Sequence, residues 1–294
     1  MPGGRDRFRS EDALSSYLRE QCTVVIRGEL LLRTRSDAEL VHDTRVGLRR
    51  LRSALRSFAP LLTPDAAELE VLEEDLRWLA ALLSDLRDAD VLGERLTARL
   101  AALPADLVLG GPLRDDVTHE VRQALAGVRH RSYEVWQAQR TTDRFRRTMR
   151  AVARWYDRPP VAGEPLSDKA LRRAGRELLD VAERRARRRL ADADRVGAND
   201  PAAPELAHRA RKAFKRLRYT AEVLEPVLPR AVELARRAKK QQRRLGSHQD
   251  LVVEAAFLRH CATVLPTVEA HHGFVYGLML AHAEHEAARL RERA

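Results

Sequence analysis

ELVHDTRVGLRRLR at 39–52 and ELAHRARKAFKRLR at 205–218 are the stretches that decide how this chain is read. Seven of their fourteen positions are identical, among them His42/His208, Arg45/Arg211, Arg50/Arg216 and Arg52/Arg218. Arg49/Lys215 keeps the charge, and Leu48/Phe214 keeps the apolar character. The offset is 166 residues, and Pro60/Pro226 carries it to the end of the helix. A second match, at an offset of 162, sets Leu83, Asp88 and Val91 against Leu245, Asp250 and Val253, and Arg77 against Lys239. Two matches in the same order point to a duplicated module. Solenoid repeats run to roughly 20–50 residues, far less than this period. Two pseudo-symmetric helical bundles are therefore the expected architecture.

Outward from these copies the pattern stays helical. Of the 294 residues 44% are apolar, enough to fold, and only 5% are aromatic. Ala, Leu and Arg dominate, and such side chains lose little rotamer freedom in a helix. Breakers cluster at 103–112 (LPADLVLGGP), 157–167 (DRPPVAGEPLS) and 195–204 (RVGANDPAAP). The spacing predicts an all-α chain with helices at about 10–35, 37–59, 64–85, 88–102, 113–131, 132–156, 166–194, 202–225, 230–245, 247–263 and 267–291. The Pro/Gly-rich segment divides it into a first half at 1–157, a linker at 158–167 and a second half at 168–294.

On a helical wheel Val41, Leu48, Leu51, Leu55, Phe58 and Leu62 form a core stripe. His42, Arg45, Arg49, Arg52 and Arg56 form a basic row about 110° round from it. The second copy repeats the row as His208, Arg211, Lys215 and Arg218, beside Phe214, Leu217 and Leu224. Only Arg50 and Arg216 point directly away. Most charge runs are solvated faces, and those usually alternate sign at i, i+4. Here 41–59 holds five Arg against Asp43 alone, and 208–221 holds six Arg or Lys and no acid. The row is thus expected to be neutralised by something outside its own helix. A third run at 235–246 adds Arg236, Lys239, Lys240, Arg243 and Arg244 in the second half only. The runs at 144–154 and 184–189 lack the repeat and read as outer faces.

Net charge is +11, which favours an anionic partner. One charge per roughly 5 Å of helix axis suits a repeating anion, and the Arg fork suits phosphate. No phosphate-cradling Gly-rich loop is present. Duplex DNA is the competing partner, but no helix-turn-helix, zinc-finger or basic-zipper pattern appears. Single strands want aromatic platforms, and only Trp78 and Tyr219 lie near the rows. A nonspecific nucleic-acid-binding protein and a metal-dependent phosphohydrolase stay open as alternatives. His271, His272, His282 and His285 fall in no zinc spacing, no catalytic motif is found, and Asp88 and Asp250 read as caps or Arg partners. No cofactor and no metal are expected. Cys22 and Cys261 read as reduced thiols. Neither a signal peptide nor an apolar run of roughly 20 residues is seen, so a cytoplasmic, non-membrane protein is expected.

H-x-x-R-x-x-x-R-R-L-R at 42–52, L-R-D-A-D-V-L at 86–92, H-x-x-R-K-x-x-K-x-L-R-Y at 208–219 and L-G-x-x-Q-D at 245–250 resemble the CHAD domain family, the conserved-histidine α-helical domains. The resemblance implies two pseudo-symmetric antiparallel four-helix-type bundles, related by a pseudo-twofold, around a central basic groove or pore that binds inorganic polyphosphate, in association with polyphosphate granules. By position it assigns His42, Arg45, Arg49, Arg52, Arg77 and Arg87 to the first half. His208, Arg211, Lys212, Lys215, Arg218 and Lys239 follow in the second. The residues themselves add Arg56, Lys240 and Arg243. Ser84 stands where the family usually has Gly, and Gln249 where Asn is common. No E-x-E-x-K triphosphatase signature is present, so a stand-alone binding module, not an enzyme, is expected.

Overall fold

Short-range capping fixes where the first helices start. Asp12 accepts a hydrogen bond from the Ser15 N–H at 2.9 Å and opens α1 (Ala13–Leu31). Asp37 does the same through Leu40 at 3.0 Å for α2 (Ala38–Phe58), and Asp65 through Glu68 at 2.8 Å for α3 (Ala66–Leu82). There follow α4 (Ser84–Ala102), α5 (Gly111–Gln139), α6 (Asp143–Asp157), α7 (Asp168–Asp194), α8 (Ala203–Leu224), α9 (Pro229–Val264) and α10 (Ala270–Glu292). The structure, a computed structural model, describes residues 12–104, 111–162, 167–197, 200, 202–264 and 270–292. Among these there is no strand, only an isolated bridge between Leu62 and Val161. The fold is all-α.

Two helix boundaries differ from the spacing. The break expected near 131 falls instead at 140–142, where the Thr142 hydroxyl accepts from the Phe145 N–H at 3.3 Å and Asp143 sits in the first turn of α6. The break expected at Gly246 does not occur. A lone glycine costs a helix only about 1 kcal/mol, and α9 runs through it for 36 residues without an internal proline. Part of the expected breaker at 103–112, and residues 163–166 of the expected linker, lie outside the described residues.

The chain forms two compact units, and each draws on both sides of 158–167. The first comprises 1–83, 136–186 and 213–239, and the second 84–135, 187–212 and 240–294. In the first, α2 packs on α1 and α3, and α6 packs on the same two helices. Every residue of the α2 core stripe is buried. Trp136 and Trp78 each meet the Phe145 ring edge-on, at 5.4 and 6.5 Å. In the second unit Leu92, Leu96 and Leu100 of α4, Val117 and Val121 of α5, Leu258 of α9, and Tyr276 and Met279 of α10 make one apolar cluster. Both cysteines are buried, and burial pushes the Cys22 thiol up to about 12 and that of Cys261 up to about 11.

Glycine sets the spacing of α1 and α2. A Cβ on Gly28 would stand 2.1 Å from the Thr44 Oγ1, and one on Gly47 would stand 2.8 Å from Val24. Thr44 cannot yield easily, because it is buried and its hydroxyl donates to the Leu40 carbonyl at 2.7 Å. Gly28→Ala is therefore expected to destabilise the fold by about 1–3 kcal/mol through overpacking, although alanine is the better helix former. Chemical denaturation measures this. A variant as stable as the parent would show that the two helices do not approach so closely.

Candidate functional site

The first unit carries the basic row of α2. The crossing of α2 with the C-terminal part of α8 is pinned by polar contacts: Arg49 Nε donates to the Tyr219 hydroxyl at 2.8 Å, Arg50 Nε to Glu222 at 3.0 Å, and the Thr220 hydroxyl to that of Ser57 at 2.9 Å. Arg45 donates to the Leu83 carbonyl at 3.1 Å, and His42 is exposed one turn earlier. Arg49 and Arg218 lie over the Tyr219 ring at 5.9 and 5.2 Å. Lys215 is half-buried and Lys239 exposed. The hydroxyl of half-buried Tyr17 is enclosed beside this network, and burial raises its pKa above the usual range.

Several row residues meet acids within the protein, some from another helix and some from their own. Glu73 of α3 takes two N–H groups of Arg52, at 3.0 and 2.6 Å, and lies 3.8 Å from Arg56. Glu222 takes Arg218 at 2.7 Å as well as Arg50, and Arg77 pairs with Glu74 at 3.0 Å. Arg236 and Arg237 of the third run both bind Glu233 and hold its carboxyl at about 2. These acids sit on another helix or just beyond the counted window, so a single-helix tally of charge could not include them. Arg50 and Arg216 do not project into solvent either, and both are half-buried.

A guanidinium has five N–H donors, so one neutral contact leaves it able to bind an anion. Arg49 spends one donor on a phenol and has no carboxylate partner among the described residues. Arg218 spends only its Nε. Arg52, held on two donors by Glu73, has less to offer.

The second unit holds Arg87, His208, Arg211, Lys212, Lys240 and Arg243. Arg87 and His208 are half-buried, and Lys212, Lys240 and Arg243 are exposed. Arg211 is the informative one. Its guanidinium lies on the flat face that Gly246 leaves in α9, where a Cβ would stand 3.2 Å from both Nε and one Nη. Its Nε is enclosed and has no acceptor. A buried donor on a cation without an acceptor costs more than a neutral one, and an oxyanion would remove that cost.

Elsewhere in this unit charge is balanced. Glu254, fully buried, accepts from Arg95 at 3.0 Å and also from Arg99; Arg95 reaches Asp250 at 3.3 Å and Arg99 reaches Glu286 at 3.0 Å. Asp250 thus pairs with an arginine and caps nothing. Glu120 accepts from the Tyr276 hydroxyl at 2.9 Å and lies 2.7 Å from His272 Nδ1. Among the described residues no three His, Cys, Asp or Glu side chains come together to hold a metal, and no helix is long and apolar enough to cross a membrane. The His271 side chain lies outside the described residues.

Comparison with known proteins agrees with this architecture. The CHAD domain profile matches residues 16–259. Two uncharacterised proteins of Mycobacterium tuberculosis are each 32% identical over 273 residues, covering 88% of this chain and 47% of theirs. The chain thus spans about half the length of these relatives. The crystal structure of the CHAD domain from the plant Ricinus communis superposes with a TM-score of 0.68 at 26% identity, covering 98% of this chain and 94% of that one. PptA from Streptomyces chartreusis superposes with a TM-score of 0.69 at 21% identity, over 96% of this chain and 97% of that one, a likeness of fold. With its profile match over most of its length, this chain belongs to the CHAD domain family.

Proposed function

We propose that this chain is a binding module for inorganic polyphosphate, not an enzyme, and that it acts in the cytoplasm at polyphosphate granules. The observation that carries the reading is Arg211, a half-buried guanidinium with an enclosed, acceptor-less Nε. Exposed Lys212 follows it on the same helix, and Lys240 and Arg243 stand on the α9 helix against which it lies. Arg49 and Arg218 offer further donors in the first unit. Phosphate answers these groups because each oxyanion accepts several charge-assisted hydrogen bonds. A chain of phosphates repeats that match along a row without needing bases to stack on. The family resemblance and the net charge of +11 support the same partner.

Competition tests the reading directly. Labelled duplex DNA is bound to the protein at fixed salt, because both partners act through released counterions and depend steeply on it. Long-chain polyphosphate at equal phosphate concentration is expected to displace the DNA, and to lose no orthophosphate during incubation with added divalent metal. Retention of the DNA would favour a nucleic-acid-binding protein, and steady release of orthophosphate would favour a phosphohydrolase.

A further inference from the structure

We infer that the cleft between α1 and α2 is a separate site for a small aliphatic ammonium compound, whose charge answers Glu39 and Asp43 and whose second, neutral donor answers Gln21. None of these three residues belongs to the basic rows, and the site does not depend on the polyphosphate reading.

The close approach of the two helices shapes the cleft. Gly28 meets Thr44 and Gly47 meets Val24, so α1 and α2 run antiparallel and Gln21 comes level with the Arg50 end of α2. The cleft has a volume of about 490 Å³, within the usual range for a small-molecule site. Val24, Leu31, Leu40 and Val46 are among its walls, and all four are half-buried. Such walls suit a hydrocarbon chain.

Gln21 is the residue that calls for a ligand. It lines the cleft although it is only 1% exposed, and its Oε1 is enclosed and meets no donor among the described residues. A buried amide oxygen costs free energy until an N–H or O–H reaches it. Arg50, at the same end of the cleft, gives its Nε to Glu222 at 3.0 Å.

The charges around the cleft leave one carboxylate over. Arg50 is answered by Glu222, and Arg35 by Asp37 at 3.5 Å. Of the lining groups that remain, Arg27 stands against two carboxylates, Glu39 and Asp43. These two are exposed, and like charges at i, i+4 cost a helix stability. Glu39 lies in the first turn of α2, where the helix dipole favours an acid, but Asp43 lies a turn further on. An ammonium group relieves the pair, and its three N–H donors suit two carboxylates. The α1 segment from Gln21 to Gly28, which meets Thr44 beside Asp43, spans about 10 Å. A ligand reaching both ends therefore has several carbons between its ammonium and its second donor, as a linear amino alcohol or amino amide has.

The test is calorimetric titration of the whole chain, at low salt, with aminohexanol and with hexylamine, which lacks the hydroxyl. The parent is expected to bind both, and aminohexanol about tenfold more tightly, because its hydroxyl donates to Gln21. Gln21→Met keeps the reach of the side chain and removes the buried oxygen. It is expected to melt no lower than the parent and to bind the two amines alike. Asp43→Asn, at an exposed position, is expected to weaken both amines about threefold without harming the fold. Absence of aminohexanol binding, or equal affinity of the parent for the two amines, overturns the site. So does a preference for aminohexanol that survives in Gln21→Met, or amine binding untouched by Asp43→Asn.

Discussion

Arg211→Glu is expected to weaken binding of long-chain polyphosphate by on the order of 100-fold while leaving helix content unchanged. The guanidinium it removes lies across Gly246 with an enclosed, unsatisfied Nε, so the bound anion satisfies a donor that is costly in the free protein. Charge-assisted hydrogen bonds of this kind contribute about 1.5–3 kcal/mol each, and a carboxylate in the same place adds repulsion. Arg211→Lys separates charge from geometry: it keeps the cation, loses the planar fork, and should fall between parent and Arg211→Glu. Titration at fixed salt measures both, with circular dichroism as the check on folding. Equal affinity of parent and Arg211→Glu would remove Arg211 from the site.

The second large effect concerns stability. Glu254→Ala is expected to cost about 3 kcal/mol, seen as a lower denaturant midpoint. Glu254 is fully buried and binds both Arg95 and Arg99. Removing it strands two cations, and breaking such a pair typically costs about 3–5 kcal/mol. The low end applies because Arg95 keeps Asp250 and Arg99 keeps Glu286, and because a cavity of about 640 Å³, lined also by His282 and His285, opens beside them. Replacing Glu254, Arg95 and Arg99 together by apolar residues should recover most of the loss. A single variant with the parent's midpoint would show that Glu254 is not confined between the arginines.

Much of this fold was legible in the sequence, because the α2 core stripe and its α8 counterpart are set by spacing along single helices. Val41, Leu48, Leu51, Leu55 and Phe58 are all buried, as are Phe214, Leu217 and Leu224. The site was legible in type but not in pairing. Whether Arg52 is available depends on Glu73, which comes from another helix. Whether Arg218 is available depends on Glu222, one turn further on. Arg216 was read as pointing away, because a wheel of one helix does not include the helix that crosses it. Gly246 was read as a break because glycine signals both chain reversal and close approach. Only the position of Arg211 shows that the second applies here.

The interleaving of the two units has a consequence for synthesis. Most of the segment at 84–135, which belongs to the second unit, leaves the ribosome before the first unit's 136–186 and 213–239. At roughly 5–20 residues per second, the stretch from the end of α2 at Phe58 to residue 239 takes roughly 9–36 s to make. Until then α2 lacks the α8 residues Tyr219 and Glu222 that receive Arg49 and Arg50. Arg49 and Arg50 are thus open on the nascent chain, close to ribosomal RNA, through an interval in which Arg52 can already meet Glu73 of α3.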